Sequence, residues 1–124
     1  MSKLQPKGET LVLDGVERHL LFTLNAVDEI QENYDCGLEE VIDKLTDKKE
    51  SINTLRYLVM VLLNDEAERS QQENCKVYTE REVGWLITQE NVLEVTMAVL
   101  KAYGLSLPEP DEYVSPNAGG GQKK

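Results

Sequence analysis

The stretch YTEREVGWLITQENVLEVTMAVLKAYGL, residues 78–105, carries the densest local folding signals in the chain. Thr79 and Glu82 have the three-residue spacing of a capping box, in which each side chain accepts a hydrogen bond from the other residue's backbone N–H. Tyr78 and Val83 occupy the flanking positions of a hydrophobic staple. These signals predict a short helix that begins at Thr79.

A longer helix is predicted directly after it, because Thr88 offers a second N-cap oxygen. Apolar residues then recur at the i, i+3, i+4 and i+7 spacing of a core-facing stripe. The stripe comprises Val92, Val95, Thr96, Val99, Leu100 and Tyr103, and Leu93 and Met97 widen it. Gly104 can take the left-handed conformation that ends a helix, and Pro108 cannot continue one.

The dipeptide Asp14-Gly15 predicts a β-hairpin, since both residues tolerate the positive φ of a type I′ turn. Residues 9–13 and 16–22 flank it as two strands. If Leu13 pairs with Val16, one face of the hairpin is apolar. That face carries Leu11, Leu13, Val16, Leu20 and Phe22. His19 falls on the opposite, more polar face.

Three more helices are expected between the hairpin and Tyr78. The first has Thr23 as its N-cap and runs to about Tyr34, where Asp35 and Gly37 break it. Its inward residues are Leu24, Val27 and Ile30. The second spans residues 38–45, and its buried stripe consists of Leu38, Val41, Ile42 and Leu45.

The third of these helices, about residues 48–69, begins at a reciprocal cap formed by Asp47 and Glu50. Its run 57–63 is apolar all round, so one face alone cannot bury it. Such a run lies either at the centre of a helical bundle or against another chain, and the pattern favours the centre. Trp85 presents the same alternatives: a core role is favoured, but an indole is also well suited to a binding hot spot.

Together these elements predict a mainly α (α+β) fold, an N-terminal β-hairpin packed on a bundle of about five helices. The length of 124 residues suits one hydrophobic core. This single domain is expected to occupy residues 9–107. Residues 1–8 are expected to form a flexible arm, and the Pro- and Gly-rich residues 108–124 a disordered tail or linker.

The composition argues against several classes of function. A formal net charge of -10, with only 13 Lys and Arg, opposes binding to nucleic acid and to anionic membranes. The longest apolar run is too short to span a bilayer, and no basic segment followed by a long apolar run begins the chain. The protein is therefore expected in the cytosol.

No motif in the sequence indicates enzymatic chemistry. Cys36 and Cys75 are isolated thiols, expected to be reduced, and His19 is the single histidine, so no cluster has the spacing of a metal site. The serines lack the context of a nucleophile elbow, and the glycines at 119–121 precede no helix that could cradle phosphate. We expect neither an enzyme nor a bound metal or cofactor.

The order of these pieces resembles the tail assembly chaperones encoded by long-tailed bacteriophages and prophages. The similarity covers residues 9–105 and rests on the hairpin, the phrase LLFTLNAVDEIQENYDCGLEEVIDKL, the apolar third helix, TEREVGWLI and NVLEVTMAVLKAYG. Members of that family are small, mostly helical, often acidic proteins that are not enzymes. They keep the long, coiled-coil-rich tape measure protein soluble while the tail tube polymerises around it.

The resemblance implies a chaperone of the host bacterial cytoplasm that is absent from the mature virion. Its partner would be the tape measure protein, with the tail tube protein as a further candidate, and a homo-oligomer is left open. The predicted contact residues are Leu55, Leu58, Val59, Leu62, Leu63 and Trp85. The alternative function is a structural tail or tail-completion component that stays in the virion.

Overall fold

The computed structural model describes residues 8–70 and 77–105. Strands β1 (Glu9–Leu13) and β2 (Val16–Leu20) form an antiparallel hairpin. Within the described ranges five α-helices follow: α1 (Leu24–Tyr34), α2 (Leu38–Asp43), α3 (Ser51–Ser70), α4 (Glu80–Leu86) and α5 (Val92–Leu105). A short 3₁₀ helix, Lys44–Thr46, extends α2. The predicted fold class is confirmed.

The hairpin has the predicted turn and register. Asp14 and Gly15 have φ angles of 53° and 77°, and Leu13 pairs with Val16. The predicted inward residues that are buried are Leu11, Leu13, Leu20 and Phe22. Val16 is instead 55% exposed, although its partner across the turn, Leu13, is buried.

Helix α1 has the predicted ends, and two of its three predicted inward residues, Val27 and Ile30, face the core. Thr23 accepts a hydrogen bond from the Ala26 N–H at 3.1 Å, and Asp35 ends the helix in the left-handed conformation. Ala26 and Ile30 are the buried residues of this helix. Leu24 is 87% exposed, so its predicted burial is wrong. Its position in the first turn lies on the opposite side of the helix from Ala26 and Ile30, and so faces away from the core.

Helix α3 is the central element of the fold, in contact with β2, α1, α4 and α5. Because it has neighbours on several sides, its apolar run is buried around most of the circumference. The buried members are Tyr57, Leu58, Val59, Val61, Leu62 and Leu63. Of the two alternatives left by the sequence, the structure therefore shows the centre of the bundle.

The start of α3 differs from the predicted reciprocal cap. Asp47 Oδ1 accepts hydrogen bonds from the backbone N–H groups of Lys49 and Glu50, at 2.7 and 3.2 Å. The Asp47 N–H, however, donates to the Lys44 carbonyl, so the Glu50 carboxylate cannot complete the box. Glu50 pairs instead with Lys44 Nζ at 3.1 Å, and the α-helix begins later than predicted, at Ser51.

The two caps predicted for the last helices are confirmed. Thr79 Oγ1 accepts from the Glu82 N–H at 3.1 Å, and Glu82 Oε1 accepts from the Thr79 N–H at 2.9 Å. Thr88 Oγ1 accepts from the Glu90 N–H at 3.2 Å. The predicted stop at Gly104 is wrong, since Gly104 has no positive φ and α5 continues to Leu105. Glycine adopts helical backbone as readily as left-handed backbone, and Pro108 lies outside the described residues.

Loss of the Thr79 hydroxyl is expected to destabilise the protein. Thr79→Ala removes the acceptor of the Glu82 N–H, and N-cap replacements of this kind cost about 1 kcal/mol. The free energy of unfolding, obtained from a urea titration, measures the loss. Thr79→Ser keeps the acceptor and should stay close to wild type. Equal losses in the two variants would contradict a capping role.

Of the predicted arm at residues 1–8, only Gly8 lies within the described part of the chain, and the predicted tail at 108–124 lies wholly outside it. Gly8 has a φ of 81°, and an added Cβ there would collide with the Leu20 carbonyl. Gly8 therefore packs against the hairpin. Cys36 is half-buried and free, whereas Cys75 is outside the described residues. No helix in the described ranges is long and apolar enough to cross a membrane.

Candidate partner-binding surface

Five of the six predicted contact residues belong to the core. These are Leu55, Leu58, Val59, Leu62 and Leu63, none more than 4% exposed. A partner cannot reach them while the domain is folded, because the hairpin and the surrounding helices cover α3. Their assignment to a contact surface is therefore corrected, and only the sixth residue, Trp85, remains as a candidate.

Trp85 is 68% exposed, so the core role that the sequence favoured for it is wrong. Helix α4 turns Val83 fully into the core. Trp85 follows two residues later and therefore lies on the far side of the same short helix. A large indole held outside the core has the character of a binding anchor, because tryptophan is enriched among the residues that dominate binding energies.

The helix that carries Trp85 is fixed to α3 by a reciprocal amide pair. Asn64 Nδ2 donates to the Tyr78 carbonyl at 2.9 Å, and the Tyr78 N–H donates to Asn64 Oδ1 at 2.7 Å. These bonds hold the residue just before the Thr79 cap. The indole is thus presented by an anchored helix, which lowers the entropy lost when a partner binds.

Two arginines lie close to the indole. The Arg81 guanidinium carbon is 5.8 Å from the centre of the Trp85 ring, within the range of a cation–π contact. Arg56 of α3 lies against Gly84, where an added Cβ would be 3.1 Å from the Arg56 Cδ. Arg56 Nη2 donates to Asn53 Oδ1 at 2.9 Å, while its buried Nε finds no acceptor among the described residues.

Ile52 extends this surface along α3. It is 68% exposed and lies one turn before Arg56 on the same side of the helix. Helices α3 and α4 run antiparallel, as the Asn64–Tyr78 and Arg56–Gly84 contacts show. Ile52 therefore lies toward the same end of the helix pair as Trp85. We define the Trp85 surface as Ile52, Arg56, Arg81 and Trp85, an apolar patch with two positive charges on a protein of net charge -10.

A separate polar cluster joins the hairpin to α3. Glu66 Oε1 accepts from Arg18 Nε at 2.9 Å, and Glu66 Oε2 accepts from the His19 N–H at 3.2 Å and lies 3.1 Å from His19 Nδ1. Arg18 is buried and also donates to the Leu63 carbonyl. The sequence analysis had not placed Arg18 on the inner face of the hairpin. Because these contacts of Glu66 all go to residues of β2, the cluster holds β2 against α3.

Several acidic side chains lie close together where α1 packs against α3. Burial, together with the neighbouring carboxylates of Glu68 and Asp65, raises the pKa of Glu29. The Asp65 carboxylate is partly compensated by two contacts: Oδ2 lies 3.2 Å from Arg69 Nε and accepts a hydrogen bond from the Thr23 hydroxyl at 2.9 Å. Among residues 8–70 and 77–105, no group of His, Cys, Asp and Glu has the arrangement of a metal site.

Sequence reasoning identified Trp85 but missed the rest of its surface. The Arg81–Trp85 contact has a local signal, since residues four apart are neighbours on a helix. The approach of Arg56 to Gly84 has none, because it depends on how α3 and α4 pair in the fold. In comparisons with known proteins, no family model, curated protein or solved structure matches the chain.

Proposed function

We propose that this protein is a non-enzymatic tail assembly chaperone that binds apolar helical segments of a tape measure protein on the Trp85 surface. The observation that carries the proposal is the exposure of Trp85 on a helix fixed to the core by Asn64. The resemblance of residues 9–105 to tail assembly chaperones supplies the class of partner. Under this proposal the protein works in the host cytoplasm and is left out of the finished virion.

The chemistry of the Trp85 surface suits an amphipathic helix. The indole and Ile52 offer apolar contact area, and both are available without unfolding the domain. Arg56 and Arg81 add two cations at the edge of that area, which favours apolar segments flanked by carboxylates. The strongly negative remainder of the chain keeps a complex with an apolar partner in solution.

Trp85→Ala is expected to abolish most of the partner binding while leaving the fold intact. Truncation of a hot-spot residue costs about 2 kcal/mol or more, which corresponds to a dissociation constant raised roughly thirtyfold. Because the indole lies outside the core, the free energy of unfolding should change by less than about 0.5 kcal/mol. Co-expression with a tape measure protein, followed by gel filtration and titration of the complex, measures both solubility and affinity.

Leu24→Ala is the matched control, since Leu24 is the most exposed large apolar residue among residues 8–70 and 77–105 and lies on α1. It should solubilise the tape measure protein as wild type does. If wild-type chain fails to keep that protein soluble and forms no complex, the chaperone proposal is lost. Mass spectrometry of purified virions then decides the alternative, because a structural tail component would be present there in fixed stoichiometry.

A further inference from the structure

Helix α5 carries a second apolar stripe on the side opposite its buried face. Its buried residues are Val95, Ala98, Val99 and Ala102. On the other side, Leu93 is 72% and Met97 47% exposed and Gly104 is exposed, while Leu100 is half-buried and packs partly against the core. We call these four residues the α5 outer stripe. It is separate from the Trp85 surface, and nothing inferred below depends on the proposed function.

The spacing of the α5 outer stripe is that of a coiled-coil seam. Leu93, Met97, Leu100 and Gly104 follow one another at intervals of four, three and four, which corresponds to heptad positions d, a, d and a. The two e positions hold Glu94 and Lys101. The g positions hold Thr96 and Tyr103, both without charge and both half-buried against the domain.

The charges at the e positions distinguish between two orientations of a partner helix. In an antiparallel pair, e positions face e positions across the seam, so Glu94 of each helix lies opposite Lys101 of the other. In a parallel pair they would face g positions, where Thr96 and Tyr103 offer no charge to either. The same antiparallel register sets Leu93 opposite Gly104, where the missing side chain leaves room for it.

We propose that the α5 outer stripe is the contact surface for a second copy of this chain, packed antiparallel across a two-fold axis that passes between Met97 and Leu100. The e edge of the stripe is self-complementary, because each copy carries both Glu94 and Lys101. The two-fold axis therefore forms the Glu94–Lys101 pair twice, once on each side. That edge is accessible, because Glu94, Met97 and Lys101 line a shallow groove whose opposite wall is residues 9–11 of β1. An isologous contact of this kind closes as a dimer.

The dimer is expected to be weak. The stripe covers only two heptads of a 14-residue helix, which is at the low end of the area of specific interfaces. A dissociation constant on the order of 10–100 µM follows for a contact of that class. Sedimentation equilibrium over about 5–500 µM protein, in about 0.15 M salt to screen the net charge, measures it.

Leu93→Glu should raise the dissociation constant at least about a hundredfold, because it buries a carboxylate in each half of the seam. Leu24→Glu is the matched control: it makes the same substitution at an exposed leucine in the first turn of α1. It should dimerise as wild type does. A wild-type chain that stays monomeric throughout, or a Leu93→Glu variant that dimerises normally, overturns the proposal.

Reversing the charges tests the orientation. Glu94→Lys converts both symmetry-related pairs from attraction to repulsion and should weaken the dimer about tenfold. Adding Lys101→Glu to the same chain restores opposite charges across the seam and should return the dissociation constant to within about threefold of wild type. A double variant no tighter than Glu94→Lys alone overturns the antiparallel register.

Discussion

Leu58→Ala is expected to lower the free energy of unfolding by roughly 2–5 kcal/mol, because it leaves a cavity in the centre of the core. Leu58 has no exposed surface, and its helix is covered by the hairpin, α1, α4 and α5. Domains of this size are stable by only about 5–15 kcal/mol, so the variant loses a large share of its stability. Urea titration followed by far-UV circular dichroism gives the value.

Ile52→Ala is the matched control for that measurement. It removes a branched aliphatic side chain of similar size from the same helix, but one that is largely exposed. Its cost should stay within about 0.5 kcal/mol. Similar losses in the two variants would mean that α3 is not buried as described, and would return Leu58 to consideration as a partner contact.

The features that sequence predicted well are those encoded within a few residues. Asp14-Gly15 fixes its own turn geometry, and that turn sets the register of both strands. Thr79 and Glu82 satisfy each other's backbone groups without help from the rest of the fold. Such signals act in any tertiary context, which is why the hairpin and the starts of α1 and α4 were placed correctly.

Two of the errors concern which side of an element faces the core. Leu24 and Trp85 are apolar residues on helices, and hydrophobicity alone assigned the first to the interior and favoured the interior for the second. Their exposure is decided by which neighbour each helix packs against. Arg18 is the converse case, a charged residue turned inward because the strand register places it opposite Leu11.

The candidate site was therefore only partly predictable. A run of apolar residues such as 57–63 indicates that these side chains must be buried. It does not indicate whether the surfaces that bury them belong to the same chain or to a partner. The structure supplies that cover, and the predicted contact surface contracts from six residues to Trp85 alone. Arg56 joins it through the pairing of α3 with α4, a contact between distant parts of the sequence that no local pattern encodes.

Glu66→Ala is expected to destabilise the fold by about 3 kcal/mol, because it leaves the buried Arg18 guanidinium without its counter-charge. The variant also removes the acceptor of the His19 N–H, so the hairpin loses two bonds to α3 at once. Glu68→Ala is the control: Glu68 is exposed, and its removal relieves repulsion on Glu29, so stability should hold or rise slightly.

The cause of the loss can be separated by a second change. If the unpaired charge of Arg18 dominates, Arg18→Met in the Glu66→Ala background should recover part of the stability, since replacing a buried ion pair by apolar groups is often neutral. A double-mutant cycle by urea titration gives the coupling, which should exceed about 1 kcal/mol for groups in direct contact. Additive effects of the two changes would show that the pair does not hold the hairpin on α3. The hairpin would then be held on the helices mainly by the core packing of Leu11, Leu13 and Leu20.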